Sequence, residues 1–178
     1  MSRLYGVQLH ANICKQLKKY NKQPFCLCCS SSSRNPKTIV HKHSNNAQLH
    51  KDFHAEMVQF LQNKHLSVFA LEKTISIEGL TGRVDCILRE NLFKKKLYII
   101  DWKCMQHLPT KLCLEYQIQL NIYLYIMQHM KLYHGYEFEL YCFIFTSTHT
   151  LNAQIKIFQC QQLPTEFVEN LITKTCYK

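Results

Sequence analysis

The stretch "LYIIDWKC", residues 97–104, constrains the fold of this chain more than any other segment. Its opening run of Leu97, Tyr98, Ile99 and Ile100 suits a buried β-strand, and the run then meets Asp101 and Lys103. A charge at the end of such a strand costs free energy unless it is paired or used. Side-chain alternation sends Asp101 and Lys103 to one face of the sheet and Trp102 to the other. An acid and an amine side by side at a sheet rim read either as an ion pair or as part of a reaction centre.

The rest of the chain supplies the elements around that strand. Leu49, Phe53, Met57, Phe60 and Leu61 form one apolar stripe, which predicts an amphipathic helix from Leu49 to about Lys64. Then "VFALEKTISIEG", "LTGRVDCILRE" and "KKKLYIIDWKC" read as three strands in succession, with Gly79 and Thr81-Gly82 punctuating the first pair and a polar loop from Arg89 to Lys96. "TKLCLEYQIQLNIYLYIMQHMKLY" predicts a long helix with so little polar relief that it must be covered on more than one side. "YEFELYCFIFTS" and "NAQIKIFQC" read as two more strands, and "PTEFVENLITK" as a closing helix with Pro164 at its start. The expected fold is α/β (α+β), a mixed central sheet of about five strands flanked by helices. No internal repeat is present.

With 178 residues the chain has the length of one ordinary domain. Its formal charge of +10 is uneven: residues 1–51 hold nine Lys/Arg and no acid. We divide the chain into a basic N-terminal segment, 1–46, and a domain from 47 to 178, with a Ser/Asn/Pro-rich linker before the first helix. Three readings fit the segment: an arm attracted to phosphate backbones, a mitochondrial transit peptide with Leu9, Ile13 and Leu17 at helical spacing, or a solvated tail. No apolar run approaches the roughly 20 residues that cross a bilayer, so no membrane partner is expected. Ten cysteines are present, but Cys86, Cys104, Cys113, Cys142 and Cys160 fall in or beside predicted elements, which suggests thiols in a reducing compartment. Cys26, Cys28 and Cys29, with His41 and His43, match no common zinc spacing.

The chemistry gathers on the central strands. In "GRVDCIL", alternation puts Val84, Cys86 and Leu88 on one face and Arg83, Asp85 and Ile87 on the other. If this strand and the next are hairpin neighbours, Asp85 and Asp101 converge beside Lys103. Mg²⁺ is a hard ion that takes carboxylate oxygens and completes its shell with water and phosphate oxygens. Two carboxylates and an amine therefore suit metal-assisted hydrolysis of a phosphodiester, with the amine orienting water or neutralising charge on phosphorus. An ordinary Asp–Lys pair with Asp85 as a separate surface residue fits the same spacing.

Asp85 followed by Asp101-x-Lys103 resembles the signature of the PD-(D/E)XK nucleases, and Gln119-x-x-x-Tyr123 on the next helix resembles a motif of their RecB-like branch. "ALE" at 70–72, Gly82-x-x-Asp85-Cys86, "IDWK" at 100–103 and "QLNIY" at 119–123 are similar, in order, to the exonucleases of mitochondrial genome maintenance. The likeness covers roughly residues 47–160. It implies a restriction-endonuclease-like core and a Mg²⁺- or Mn²⁺-dependent single-strand DNA exonuclease serving DNA repair or replication. Carried over by position, Asp85 and Asp101 hold the metal with the backbone carbonyl of Trp102, Lys103 is the catalytic lysine, and Gln119 and Tyr123 border the nucleic acid. Glu72 matches an acid on the first strand. The branch also supplies a histidine from the preceding helix, for which His54 fits better than His50, because Phe53 precedes it and Phe60-Leu61 follow. The sequence departs from the pattern in two places: His50 stands where glycine is usual, and Cys104 where serine or threonine is common.

The motifs leave alternatives open: an endonuclease, on DNA or RNA, or a nucleic-acid-binding protein with a decayed site. No iron–sulfur cluster is expected, because Cys142, Cys160 and Cys176 are too dispersed. The expected location is intracellular: the mitochondrial matrix if the basic segment is a transit peptide, otherwise the nucleus.

Overall fold

The structure, a computed structural model, describes residues 56–90, 95–146 and 155–176. The first described element is a helix over residues 56–63 (α1), which buries Met57 and Leu61 against the sheet. It closes where His65, at φ 52°, takes the left-handed conformation and its N–H donates to the carbonyl of Gln62. The remainder of the helix predicted from Leu49 lies outside the described residues.

Five strands follow in a single sheet: β1 (Leu66–Ile77), β2 (Leu80–Glu90), β3 (Lys96–Met105), β4 (Glu137–Thr146) and β5 (Ile155–Cys160). Their spatial order equals their chain order. β1, β2 and β3 run antiparallel in turn, β3 and β4 are parallel, and β5 returns antiparallel. The turn from β1 to β2 has two residues, Glu78 at φ 42° and Gly79 at φ 85°. Two consecutive positive φ angles give the twist that a two-residue hairpin needs.

A parallel pair cannot be joined by a tight turn, and α2 (Leu114–His129) spans the gap between β3 and β4. The helix predicted over 110–133 is shorter than expected. Cys113 is extended before its first turn, Met130 is extended after its last, and Lys131–Tyr133 is a separate 3₁₀ turn. α2 lies across β1 to β4 on one side and meets α3 (Thr165–Cys176) on another, which accounts for its apolar sequence. Buried Asn121 pins it: the side-chain amide donates to the carbonyls of Gln117 and Gln161, and its oxygen accepts the N–H of Leu163.

Two cores result, one on each face of the sheet. Beneath α1 lie Cys86, Leu88, Tyr98, Ile100 and Trp102, with Tyr141, Phe143 and Phe145 from β4. On the other face, Ile87, Leu97, Ile99 and Ile144 of the sheet pack with Leu120 and Leu124 of α2. β3 is thus apolar at successive positions because both of its faces are covered. Each such side chain, fully buried, contributes about 1.5–3 kcal/mol relative to exposure. Trp102 falls on the face expected from alternation. Val84 does not. It packs with Ile75 and Tyr123 on the α2 side, although Cys86 and Leu88 face α1. The interruption coincides with Glu72 on β1, whose φ of 52° breaks the regular pleat of the adjacent strand.

Candidate active site

The β2–β3 ladder runs from Arg89–Leu97 to Cys86–Ile100. One step further, the same register sets Asp85 opposite Asp101. Like charges directly opposed in a sheet repel, and here the backbone pairing stops. The carboxylate of Asp85 takes over from the missing ladder bond: its Oδ2 accepts the N–H of Trp102 at 3.0 Å. The two strands thereby stay joined while their acids meet. Both side chains line the same cleft, and the charge of Asp85 acts on Asp101.

Asp101 is 1% exposed and Asp85 half-buried. Burial, then the charge of Asp85, pushes the Asp101 carboxyl up to about 6, against the pull of Lys103. Lys103 Nζ stands 2.8 Å from Asp101 Oδ2. Burial disfavours its charge, but Asp101 and Asp85 outweigh that and hold the ammonium above its ordinary pKa.

α2 completes the arrangement. Lys103 Nζ donates to Gln119 Oε1 at 2.9 Å, and Gln119 Nε2 donates to the hydroxyl oxygen of Tyr123 at 2.6 Å. Gln119 and Tyr123 are one turn apart and share a helix face. Tyr123 combines two roles: its ring belongs to the α2-side core, while its hydroxyl borders the cleft. Burial raises its pKa, with the nearby acids adding to the effect.

These groups line a cleft of about 470 Å³ that also takes in Glu72 and Arg83. Glu72 is not a solitary exposed carboxylate; it pairs with the guanidinium of Arg83. Sequence reasoning did not single out Arg83, nor Tyr116, whose ring centroid lies 5.2 Å from Lys103 Nζ. A signal for Tyr116 was present: it sits three residues before Gln119, on the same face of α2. His54 and His50 lie outside the described residues. So do the Cys26, Cys28, Cys29, His41 and His43 group and the basic segment.

The donor set is suited to a hard divalent cation. Two carboxylates line one cleft, and both burial and the charge of Asp85 disfavour ionised Asp101, a cost that a cation between the two would relieve. Among the described residues no group of three or more His, Cys, Asp or Glu side chains forms a ligand cluster.

A mixed five-stranded sheet with its crossover helix, and acids and a lysine at the rim of the central strands, is the architecture of a phosphodiester-cleaving hydrolase core. The model of the PD-(D/E)XK nuclease superfamily matches residues 16–173, and the chain belongs to that superfamily. The fold is accordingly restriction-endonuclease-like. No curated protein matches the chain. Among solved structures, one described as "Crystal structure of SSO0001" aligns at 18% identity with a TM-score of 0.43, over 74% of this chain and 60% of that one.

Proposed function

We propose that the protein is a divalent-metal-dependent deoxyribonuclease acting from the ends of single-stranded DNA, within the RecB-like branch and similar to the exonucleases of mitochondrial genome maintenance. The observation that carries the catalytic reading is the meeting of Asp85 and Asp101 beside Lys103 in one cleft. The order of the Gly82-x-x-Asp85, Asp101-x-Lys103 and Gln119-x-x-x-Tyr123 motifs supports the branch. We assign residues 47–178 to the nuclease domain and treat 1–46 as an added basic segment, which sends the protein to the mitochondrial matrix if it is a transit peptide and otherwise leaves it nuclear.

In this reading Asp85 and Asp101, with the carbonyl of Trp102 and a histidine, His54 before His50, hold Mg²⁺ or Mn²⁺. The ion supplies positive charge at the scissile phosphate and makes a nearby water more acidic. Lys103 does the work of position. Its ammonium, fixed by Asp101 and Gln119, orients the attacking water and offsets charge on the phosphoryl oxygens as the P–O3′ bond breaks. Tyr123 holds Gln119 in the rotamer that accepts from Lys103. Glu72 serves at the edge of the cleft rather than at its centre.

The test is degradation of labelled strands with Mg²⁺ or Mn²⁺. Linear single-stranded DNA is expected to be consumed, and circular single strands and RNA to survive. Cleavage of circles would replace this reading with an endonuclease. Asp101→Asn and Lys103→Ala are expected to abolish turnover with the fold intact, and retained metal-dependent activity in both would rule out the mechanism. Binding without cleavage by the wild type would favour a nucleic-acid-binding protein with a decayed site.

A further inference from the structure

The charges lining the cleft are Glu72, Asp85, Asp101, Arg83 and Lys103, three acids against two bases among the described residues. A nucleic-acid strand brings further negative charge, so the two cations decide where its phosphates rest. They differ in availability. Lys103 is 23% exposed, and its ammonium is taken up by Asp101 and Gln119. The Arg83 side chain is 66% exposed and lines the cleft from β2, two residues before Asp85. Its planar fork suits two phosphate oxygens, which an ammonium cannot match.

Arg83 is held by Glu72, and the way it is held is informative. Glu72 has a φ of 52°, a left-handed conformation that a residue with a Cβ adopts only at a cost. The β1–β2 register, with Leu71 opposite Cys86 and Lys73 opposite Val84, places Glu72 across from Asp85. The irregular backbone thus coincides with a third carboxylate at the rim of a site already rich in acid, and that carboxylate is neutralised by Arg83.

We propose that Arg83 is a phosphate-binding residue of this cleft, engaging a phosphodiester next to the scissile one, and that Glu72 is the counter-ion the strand displaces. The proposal rests on the nuclease reading for the identity of its ligand, a nucleic-acid strand, but not for its test. Displacement leaves Glu72 facing the acid pair, so strand binding and cation binding favour each other. Conversely, Glu72 weakens adhesion of strands when no cation is present.

The test measures binding by fluorescence anisotropy of a labelled single-stranded DNA oligonucleotide in EDTA, where no cleavage occurs, across a salt series. Arg83→Ala is expected to weaken binding about tenfold and to reduce the slope of log K against log salt by about 1, the signature of one lost phosphate contact. Arg83→Lys should restore the slope and only part of the affinity, because the charge returns without the fork. Glu72→Gln should tighten metal-free binding about threefold, as one repulsive charge is removed and Arg83 is released. An Arg83→Ala protein with unchanged slope and affinity overturns the proposal, as does a Glu72→Gln protein that binds more weakly than wild type. Wild-type protein that binds strands through Arg83 but never cleaves them would instead defeat the nuclease reading alone.

Discussion

Gly82 lies directly under the ring of Tyr123: a Cβ at position 82 would stand 2.8 Å from Tyr123 Cε1 and 2.9 Å from Cδ1. No real side chain is accommodated at that distance. The glycine before Asp85 is thus a matter of space, since its φ is not positive. It lets α2 come close enough for Gln119, bonded to Tyr123 on the same helix, to hold Lys103.

Gly82→Ala is therefore expected to push the ring aside and loosen Lys103 while leaving the sheet folded. The account predicts a fall in kcat of about tenfold to a hundredfold, the usual penalty for displacing a reacting group by about 1 Å. Steady-state kinetics on a linear single strand measures it. A kcat within twofold of wild type would mean that Tyr123 does not position the lysine.

The raised pKa of Asp101 makes a prediction about metal removal. Its carboxyl keeps a proton to about pH 6 in the folded protein, against an ordinary value of 3.8. Between those values the folded state binds more protons than the unfolded one, so this group's contribution to stability falls as pH rises through the window and is constant above it. In EDTA, the stability of wild-type protein relative to Asp101→Asn should decline from pH 4 to pH 6 and then level off. Glu139 acts in the opposite sense and lower: burial opposes its charge, but Lys96 and Tyr141 outweigh it and keep the carboxyl below 4.5. Paired urea titrations across this range check the difference, and a wild-type advantage that grows with pH would contradict it.

Asn121, 1% exposed, binds α2 to the segment between β5 and α3 through two hydrogen bonds, to Gln161 and Leu163, and makes a third to Gln117 within the helix. Asn121→Ala leaves the Leu163 N–H and the Gln161 carbonyl without that partner in a buried setting. The expected loss is about 2–3 kcal/mol in urea denaturation. A loss under 0.5 kcal/mol, roughly the size of a neutral surface change, would show that water replaces the amide without cost.

Much of the fold is legible because the period of the sequence changes sharply at element boundaries. β2 spans Leu80–Glu90, the stretch that reads as a strand between turn signals, and the acid that stops the apolar run in β3 stands in the site itself. Asp101 and Lys103 share a face because alternation requires it. Alternation misplaces Val84, because the left-handed backbone of Glu72 on the neighbouring strand cannot be read from local periodicity. The ends of α2 were overextended for a similar reason: nothing in the apolar run from 110 to 133 announces the extended residues Cys113 and Met130. Arg83 was passed over because its significance comes from Glu72, eleven positions earlier, and only the hairpin brings them together.

The central claim is that Asp85 and Asp101 share one divalent cation, and isothermal titration with Mn²⁺ tests it most directly. The account predicts one binding event in wild-type protein that weakens at least about tenfold in Asp85→Asn and again in Asp101→Asn, since even outer-sphere partners of a metal matter that much. Circular dichroism of the same samples should be unchanged. Equal Mn²⁺ affinity in wild type and both variants would contradict the claim.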